Sequence, residues 1–190
     1  MNLPTRLTLT PIVLVGLMGA GKTSVGRRLA ARVGVPFRDA DEEIEKAAGC
    51  SIEDIFARFG EPAFRDGERK VIARLLGEGA QVLATGGGAF MDSETRDRVS
   101  RFGISVWLKA DADELFRRVS RHSHRPLLKT ANPKETLERL INQRYPIYAE
   151  ADILVETRNE SPDITVENVL RSLIDFVESP CDRETQKHDR

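Results

Sequence analysis

The chain has 190 residues, of which 40% are hydrophobic and 31% are charged, a composition that excludes a disordered or fibrous protein. This length predicts one globular domain, since domains usually span roughly 100–200 residues. The 29 Lys and Arg nearly balance the 30 Asp and Glu, and the formal net charge of −1 counts against a nucleic-acid-binding protein, which usually carries a basic excess. Two cysteines are too few for a disulfide framework or a zinc site and favour a reducing, cytoplasmic setting.

The N-terminal region superficially resembles a secretory signal peptide, with Arg6 followed by an apolar run over residues 11–20. We reject that interpretation because the run leads directly into Gly21, Lys22 and Thr23, and cleavage there would destroy the strongest motif in the chain. No apolar run reaches the length of about 18 residues that a membrane-spanning helix needs. We therefore expect no association with a membrane.

Short apolar runs alternate with amphipathic segments along the chain. The runs predict five strands, at residues 12–15, 35–39, 81–84, 104–108 and 153–155. The remaining segments predict helices at 23–33, 42–48, 51 onward, 62–76, 93–100, 112 onward, 133 onward and 164–177. Four helix caps are expected: Ser51 paired with Asp54, either Asp92 or Ser93, Asp111 paired with Glu114, and Asp163. Strands that alternate with helices predict an α/β fold with a parallel sheet.

Two segments depart from this alternation. Residues from about 121 to 132 show no clear period, and irregular insertions of this length are typical of lids or binding loops. Residues 179–190 are polar apart from Pro180 and Cys181, which predicts a mobile C-terminal tail.

The most specific motif is Gly16-Leu-Met-Gly-Ala-Gly-Lys-Thr23, which fits the P-loop pattern G-x-x-x-x-G-K-[ST] between a predicted strand and a predicted helix. Glycines let the backbone N–H groups of such a loop converge on phosphates, and the helix N-terminus adds the positive end of its dipole. Lys22 is expected to reach the β- and γ-phosphates and Thr23 to ligate Mg²⁺. The motif predicts binding of a nucleoside triphosphate.

Two carboxylates, Asp39 and Asp41, end the second predicted strand, where residues i and i+2 point to the same side. The carboxyl ends of parallel strands are the place where such sheets bind ligands. Asp39 is expected to hold Mg²⁺ through water, and Asp41 to accept a hydroxyl proton. The alternative is that Asp41 only caps the helix that follows, and the spacing leaves the two interpretations about even.

Arg65 and Glu68 lie at i and i+3 of a predicted helix, which favours a weak surface ion pair over an arginine held ready for an anion. Gly86, Gly87 and Gly88 directly follow the third predicted strand. They form either a flexible turn or a bare backbone that a substrate approaches, and the sequence leaves these alternatives about even.

No acidic residue lies between Glu114 and Glu135, an interval that contains Arg117, Arg118, Arg121, Arg125, Lys129 and Lys134. Such a basic run is commonly a solvated face, and an RNA-binding patch is another interpretation. The interval between Phe116 and Tyr145 has no aromatic residue to stack on bases, which weakens the RNA interpretation. In a P-loop protein we favour a lid that covers the phosphates.

The motifs in combination resemble those of the shikimate kinase family, from about residue 11 to residue 155. The resemblance is carried, in order, by Gly16–Ala30, Phe37–Glu45, Ser51–Arg65 with Glu68, Gly86-Gly-Gly88, Arg125-Pro-Leu-Leu128 and Arg144-Tyr-Pro-Ile-Tyr148. It implies a P-loop NTPase fold of the nucleoside-monophosphate-kinase type, with a five-stranded parallel sheet flanked by helices and a lid at about 121–132. It also implies a single kinase domain over residues 1–178, and transfer of the γ-phosphoryl of ATP to the 3-hydroxyl of shikimate on the route to chorismate.

The resemblance also implies a role for individual residues. ATP would be bound by Gly19, Ala20, Gly21, Lys22, Thr23, Ser24, Arg118 and Arg125. Mg²⁺ would be held by Thr23 and Asp39. Shikimate would be bound by Asp41, Arg65, Glu68, Gly86, Gly87, Gly88 and Arg144. The catalytic group would comprise Lys22, Asp41 and Arg125, while the mixed segment 158–162 departs from the basic residues that the family often shows near adenine.

Three alternatives compete with this interpretation. A gluconate-type kinase on the same fold also binds a polyhydroxy carboxylate, although the Asp39–Asp41 pair and the glycine run favour shikimate. A non-catalytic nucleotide-binding regulator would be expected to lack Lys22, Asp39 or Asp41, and all three are present. An RNA-binding module conflicts with the net charge. We expect a cytoplasmic monomer that binds neither nucleic acid nor membranes.

Overall fold

The computed structural model describes residues 3–120 and 132–179, and a five-stranded parallel sheet forms their centre. Its strands are β1 (Ile12–Val15), β2 (Phe37–Asp39), β3 (Val82–Ala84), β4 (Ile104–Lys109) and β5 (Ile153–Glu156). Their order in space is β2-β3-β1-β4-β5, and each neighbouring pair is parallel. The prediction of a five-stranded parallel α/β sheet is confirmed.

Eight helices and one 3₁₀ turn connect these strands within the described residues. The helices are α1 (Thr5–Leu9), α2 (Lys22–Val33), α3 (Ala40–Ala48), α4 (Ile52–Gly77), α5 (Ser93–Phe102), α6 (Ala112–Ser120), α7 (Pro133–Tyr148) and α8 (Pro162–Glu178), with the 3₁₀ turn at Ala89–Met91. Helix α2 packs with α8 and contacts β1, β2 and β3, whereas α5 packs with α4 and contacts β4. None of these helices combines the length and apolar character that crossing a bilayer requires.

The central strand β1 explains why the sheet is buried. All four of its residues are apolar and buried, as expected for a parallel strand that has neighbours on both edges and helices on both faces. Its two neighbours are β3 and β4, which lie far apart in sequence. A ligand site is expected outside the carboxyl end of such a central strand, where the connections leave the sheet in opposite directions.

Several boundaries differ from the sequence prediction. Ser51, Asp92 and Asp111 cap helices as expected, but Ser161, and not Asp163, is the N-cap of α8. Its hydroxyl accepts from the Asp163 backbone N–H at 3.2 Å, because Pro162 occupies the first helical position and leaves Asp163 inside the first turn.

The two helices predicted from residue 51 and at 62–76 are joined in one element, α4, which has a break between them at Gly60 with φ 78° and ψ 175°. A glycine adopts this conformation without the steric cost that other residues meet there.

The short helix α1 and the 3₁₀ turn were not predicted. The lid predicted at about 121–132 and the tail at 179–190 lie outside the described residues except at their ends, and the single-domain boundary at 178 stays a prediction.

Candidate active site

A cleft of about 630 Å³ lies at the carboxyl ends of the central strands. Its walls combine the glycine-rich loop after β1, the carboxylates after β2 and the glycines after β3. The lining residues are Met18, Gly19, Gly21, Lys22, Thr23, Ser24, Asp39, Asp41, Ile52, Ala84, Thr85, Gly86, Gly87 and Arg118. The fold therefore brings three separately predicted motifs into one cavity.

The loop between β1 and α2 has the backbone geometry of a phosphate-binding loop. Gly16, Gly19 and Gly21 have φ values of 141°, 83° and 94°, which L-amino acids with side chains rarely adopt. A Cβ added to Gly16 would lie 2.7 Å from the backbone oxygen of Leu108, so the loop also passes too close to β4 for a side chain. Lys22 begins α2, and its Nζ donates to the carbonyls of Gly16 and Leu17 at 2.7 and 3.0 Å.

Thr23 and Asp39 meet where the P-loop faces the end of β2. The Thr23 hydroxyl donates to Asp39 Oδ2 at 3.0 Å, and Asp39 Oδ1 accepts from the backbone N–H of Asp41 at 3.1 Å. Hydroxyl and carboxylate oxygens suit Mg²⁺, which usually keeps several waters and takes only one or two protein ligands beside substrate phosphates. This pair fits such a role, and in the described ranges no cluster of three or more His, Cys, Asp or Glu forms a metal cage.

Asp41 has a different backbone position from the one predicted. Helix α3 begins at Ala40, so Asp41 lies in its first turn and does not share a strand with Asp39. Asp39 is the N-cap, and the alternative in which Asp41 caps the helix is wrong. The Asp41 carboxylate instead lines the cleft. Desolvation by the surrounding protein raises its pKa, the negative charge of Asp39 raises it further, and the positive charge of Lys22 opposes the shift.

Arg65 and Glu68 form a partly buried ion pair on α4, and the surface ion pair that their spacing favoured is wrong. Arg65 Nη1 lies 2.6 Å from Glu68 Oε2, and the Glu68 side chain is only 3% exposed. Burial raises the pKa of Glu68, although the charge of Arg65 opposes this shift. Glu68 Oε1 is buried and has no hydrogen-bond partner in the described part of the chain, an arrangement that costs free energy unless a ligand or water satisfies it.

Gly86 and Gly88, two of the three glycines after β3, lie too close to the ends of neighbouring side chains to carry a Cβ unless those side chains move. None of them has a positive φ, so their backbone conformation does not need glycine. A Cβ on Gly86 would lie 2.8 Å from Glu68 Oε1 and 3.0 Å from Asp41 Oδ1, and a Cβ on Gly88 would lie 2.6 Å from Arg65 Nη1. The backbone of this segment thus fills the gap between two carboxylates and an arginine. This close packing favours the bare backbone that a substrate approaches over a flexible turn.

Arg144 approaches the same glycines from α7. Its Nη1 donates to the Gly87 carbonyl at 2.9 Å. Arg65, Glu68, Gly88 and Arg144 are not among the lining residues of the cleft. Gly88 belongs to the glycine segment that forms its wall, and the other three side chains lie against that segment. Two guanidinium groups therefore lie against neighbouring residues of one partly buried stretch of backbone, Arg144 at Gly87 and Arg65 at Gly88.

Arg118 lies beside the P-loop and lines the cleft. It pairs with Glu114 one turn earlier on α6, and its Nη1 lies within 3.4 Å of the Gly19 and Ala20 carbonyls and of Thr157 Oγ1. This position beside the P-loop is compatible with nucleotide binding. Our sequence prediction did not include Glu114 as the partner of Arg118, although their i, i+4 spacing on a predicted helix was a usable signal. Arg125 lies outside the described residues.

Comparisons with known proteins agree with this arrangement. The family model for shikimate kinase matches residues 18–178. A shikimate kinase from Paramagnetospirillum magneticum is 60% identical over 88% of this chain and 86% of its own, and one from Caulobacter vibrioides is 59% identical over 85% and 81%.

Solved structures show the same likeness. A shikimate kinase from Acinetobacter baumannii in complex with shikimate is 39% identical, with a TM-score of 0.84 over 89% of this chain and 95% of that one. A gluconokinase from Sinorhizobium meliloti reaches a TM-score of 0.58 at 18% identity, over 94% of this chain and 98% of its own, and shares only the fold. The chain belongs to the shikimate kinase family and is an ATP-dependent kinase.

Proposed function

We propose that this chain transfers the γ-phosphoryl of ATP to the 3-hydroxyl of shikimate, giving shikimate 3-phosphate and ADP, in the biosynthesis of chorismate and the aromatic amino acids. The observation that carries the proposal is that Lys22 and Thr23, the acceptor-side carboxylate of Asp41 and the backbone of Gly86 and Gly87 line one cleft. Phosphoryl transfer depends mainly on positioning and on stabilisation of charge, and this cleft offers both.

The nucleotide would be held by the P-loop, with Ser24 and Arg118 beside it. Lys22 carries a charge that neutralises the β- and γ-phosphates, and its present contacts with Gly16 and Leu17 show that its Nζ lies over the loop. Thr23 and Asp39 would hold Mg²⁺, which supplies further neutralisation of phosphate charge when it is bound. Arg125 in the predicted lid would contact the transferring phosphate.

The acid substrate would lie against the glycine segment. Shikimate has one carboxylate and three hydroxyls, and arginine pairs with a carboxylate through two parallel hydrogen bonds. Arg65 and Arg144 supply such donors, and Glu68 fixes Arg65 by its 2.6 Å contact. Asp41 would accept a hydrogen bond from the attacking hydroxyl and orient it, or take its proton during transfer.

A coupled ADP-release assay tests this proposal, with shikimate, quinate, gluconate and nucleoside monophosphates as acceptors. We expect turnover with shikimate, with kcat/KM at least about 10²-fold above that for gluconate, because a site built to pair with particular polar groups discriminates strongly against analogues that leave them unpaired. Turnover that favoured gluconate would support the gluconate-type alternative. Nucleotide binding without transfer to any acceptor would support a non-catalytic regulator.

We also propose that the protein acts as a monomer in the cytoplasm, where ATP is available and its cysteines stay reduced, and that it binds neither nucleic acid nor membranes. Sedimentation at assay concentrations and fractionation of cells that produce the chain would test these expectations.

A further inference from the structure

The hydroxyl of Tyr148 has no role in the interpretation above, yet it is buried against the substrate side of the site. Tyr148 ends α7, one turn after Arg144, so the two side chains lie on the same face of the helix. The residue is 1% exposed, and its ring packs among Phe90, Trp107 and Tyr145. The aromatic contacts fix the ring, and the ring in turn fixes the position of its hydroxyl.

That hydroxyl donates to the Gly87 carbonyl, the same oxygen that accepts from Arg144 Nη1. One backbone oxygen therefore takes two donors from α7. Burial raises the pKa of Tyr148 to about 12, so the phenol keeps its proton and remains a donor at neutral pH.

The shared Gly87 carbonyl belongs to the Gly87–Gly88 peptide, which lies in the wall of the proposed substrate site. The Gly87–Gly88 bond is trans, so the N–H of Gly88 points opposite to the Gly87 carbonyl and away from α7. In the described part of the chain, the amides of Gly86, Gly87 and Gly88 make no hydrogen bond to a turn or loop carbonyl. The Ala89 N–H donates to the Gly86 carbonyl at 3.1 Å and closes a turn around this peptide. Because glycines flank the peptide, it can face either way within the turn, and the two donors from α7 favour the observed orientation.

We propose that Tyr148 is a positioning residue for binding of the acid substrate: it fixes the Gly87 carbonyl, and through it both the adjoining Gly88 amide and the guanidinium of Arg144. The inference rests on the proposed function, since it assigns Tyr148 to the shikimate side of the site. It predicts a larger effect on shikimate than on ATP, because Tyr148 and Arg144 donate to Gly87 on the proposed acid-substrate side, although the Gly87 backbone also adjoins the P-loop at Gly16 and Met18.

The neighbouring tyrosine supplies a matched control. Tyr145 belongs to the same aromatic cluster and lies 4.9 Å from Trp107 between ring centroids, and its hydroxyl also donates to a backbone carbonyl, that of Ala110. Burial raises its pKa to about 12 as well. Tyr145→Phe removes the hydroxyl of a half-buried residue and Tyr148→Phe that of a buried one, each leaving the ring in place, but only the second removes a bond to the glycine segment.

The test compares both variants and the wild-type chain by steady-state kinetics, calorimetric titration with shikimate and thermal unfolding. For Tyr148→Phe we expect KM and Kd for shikimate to rise about tenfold, with KM for ATP within about twofold of wild type. For Tyr145→Phe we expect both KM values within about twofold. Both variants should show a similarly small fall in Tm, which separates loss of a buried hydrogen bond from loss of substrate positioning.

Unchanged shikimate KM and Kd in Tyr148→Phe, or an equal rise in both variants, would overturn the inference and leave Tyr148 as a packing residue. A rise in the ATP KM of Tyr148→Phe as large as that for shikimate would also overturn it. A wild-type chain that released no ADP with shikimate would refute the proposed function and this inference together, whereas an active wild type with an unaffected Tyr148→Phe variant would refute the inference alone.

Discussion

Replacing Gly88 with alanine tests whether the glycine segment after β3 exists to make room for Arg65. Gly88 has φ −98° and ψ −17°, which alanine adopts without strain, so the backbone alone would tolerate the change. The added Cβ, however, would lie 2.6–2.8 Å from three atoms of the Arg65 guanidinium, and ordinary contact begins at 3.4 Å. Arg65 must therefore move by about 1 Å, and a displacement of that size in a positioned group can lower the rate by up to about 10²-fold.

Arg65 cannot make this move freely, because Glu68 holds its Nη1 at 2.6 Å and Glu61 holds its Nη2 at 3.2 Å. We expect kcat/KM for shikimate in Gly88→Ala to fall by about 10- to 100-fold, with little change in KM for ATP. The coupled ADP-release assay measures both.

Gly67→Ala is the matched control, since Gly67 lies on the same helix as Arg65 and a Cβ there meets nothing within 4 Å. It should leave the kinetics unchanged and stabilise the fold by about 0.5–1 kcal/mol, as an alanine in a helix does relative to glycine. Wild-type kcat/KM for shikimate in Gly88→Ala would refute the reasoning that space around Arg65 explains this glycine.

Three further predictions concern charged groups of the proposed site. Lys22→Ala should lower turnover by about 10²-fold or more while retaining the fold, and turnover within a few-fold of wild type would contradict its role at the phosphates. Arg65→Ala and Arg144→Ala should each raise KM for shikimate and leave KM for ATP nearly unchanged; the reverse pattern would place these arginines in the phosphate site. Arg125→Ala should lower turnover by about 10³-fold, with partial rescue by Arg125→Lys because an ammonium lacks the planar fork, and a change in ATP affinity alone would contradict this.

The sequence was most informative where local chemistry determines structure. Strand β1 was predicted with its observed limits, because a short, fully apolar run rich in β-branched residues is typical of a strand buried on both faces. The P-loop was predicted for a similar reason, since glycines, a lysine and a threonine at fixed offsets need only the adjoining strand and helix. Both features depend on residues that are neighbours in the chain.

The errors arose where the outcome depends on distant packing. The i, i+3 spacing of Arg65 and Glu68 is the same on a solvated helix and on a buried one, and only the glycine segment packed beside them decides which applies. The donors from Tyr148 and Arg144 to Gly87 likewise link residues about 60 positions apart, and no periodicity reports them. Asp39 and Asp41 are equally good caps by residue type, and the point where β2 ends decides between them.

The pH dependence of the reaction gives the strictest test of Asp41. Protein surroundings and the charge of Asp39 raise its pKa above the ordinary value, so its carboxylate gains a proton at a higher pH than a free aspartate. Because the proposed role needs the charged form, kcat/KM for shikimate should fall as the pH drops through this raised pKa. Asp41→Asn should lose most activity and this acidic limb together.

Stability should move in the opposite direction. A carboxyl whose folded-state pKa exceeds its unfolded value binds more protons when folded, so its contribution to stability is lost as the pH rises from the unfolded value through the folded one. At neutral pH the wild-type chain therefore carries the cost of a charge that it holds for function. Asp41→Asn removes that cost and leaves the Asp39 cap intact, so its Tm at neutral pH should equal or exceed that of the wild type. Near-normal activity of Asp41→Asn with the acidic limb retained would show that another group, such as Glu68, titrates in the site. A clear loss of Tm would show that Asp41 supports the fold.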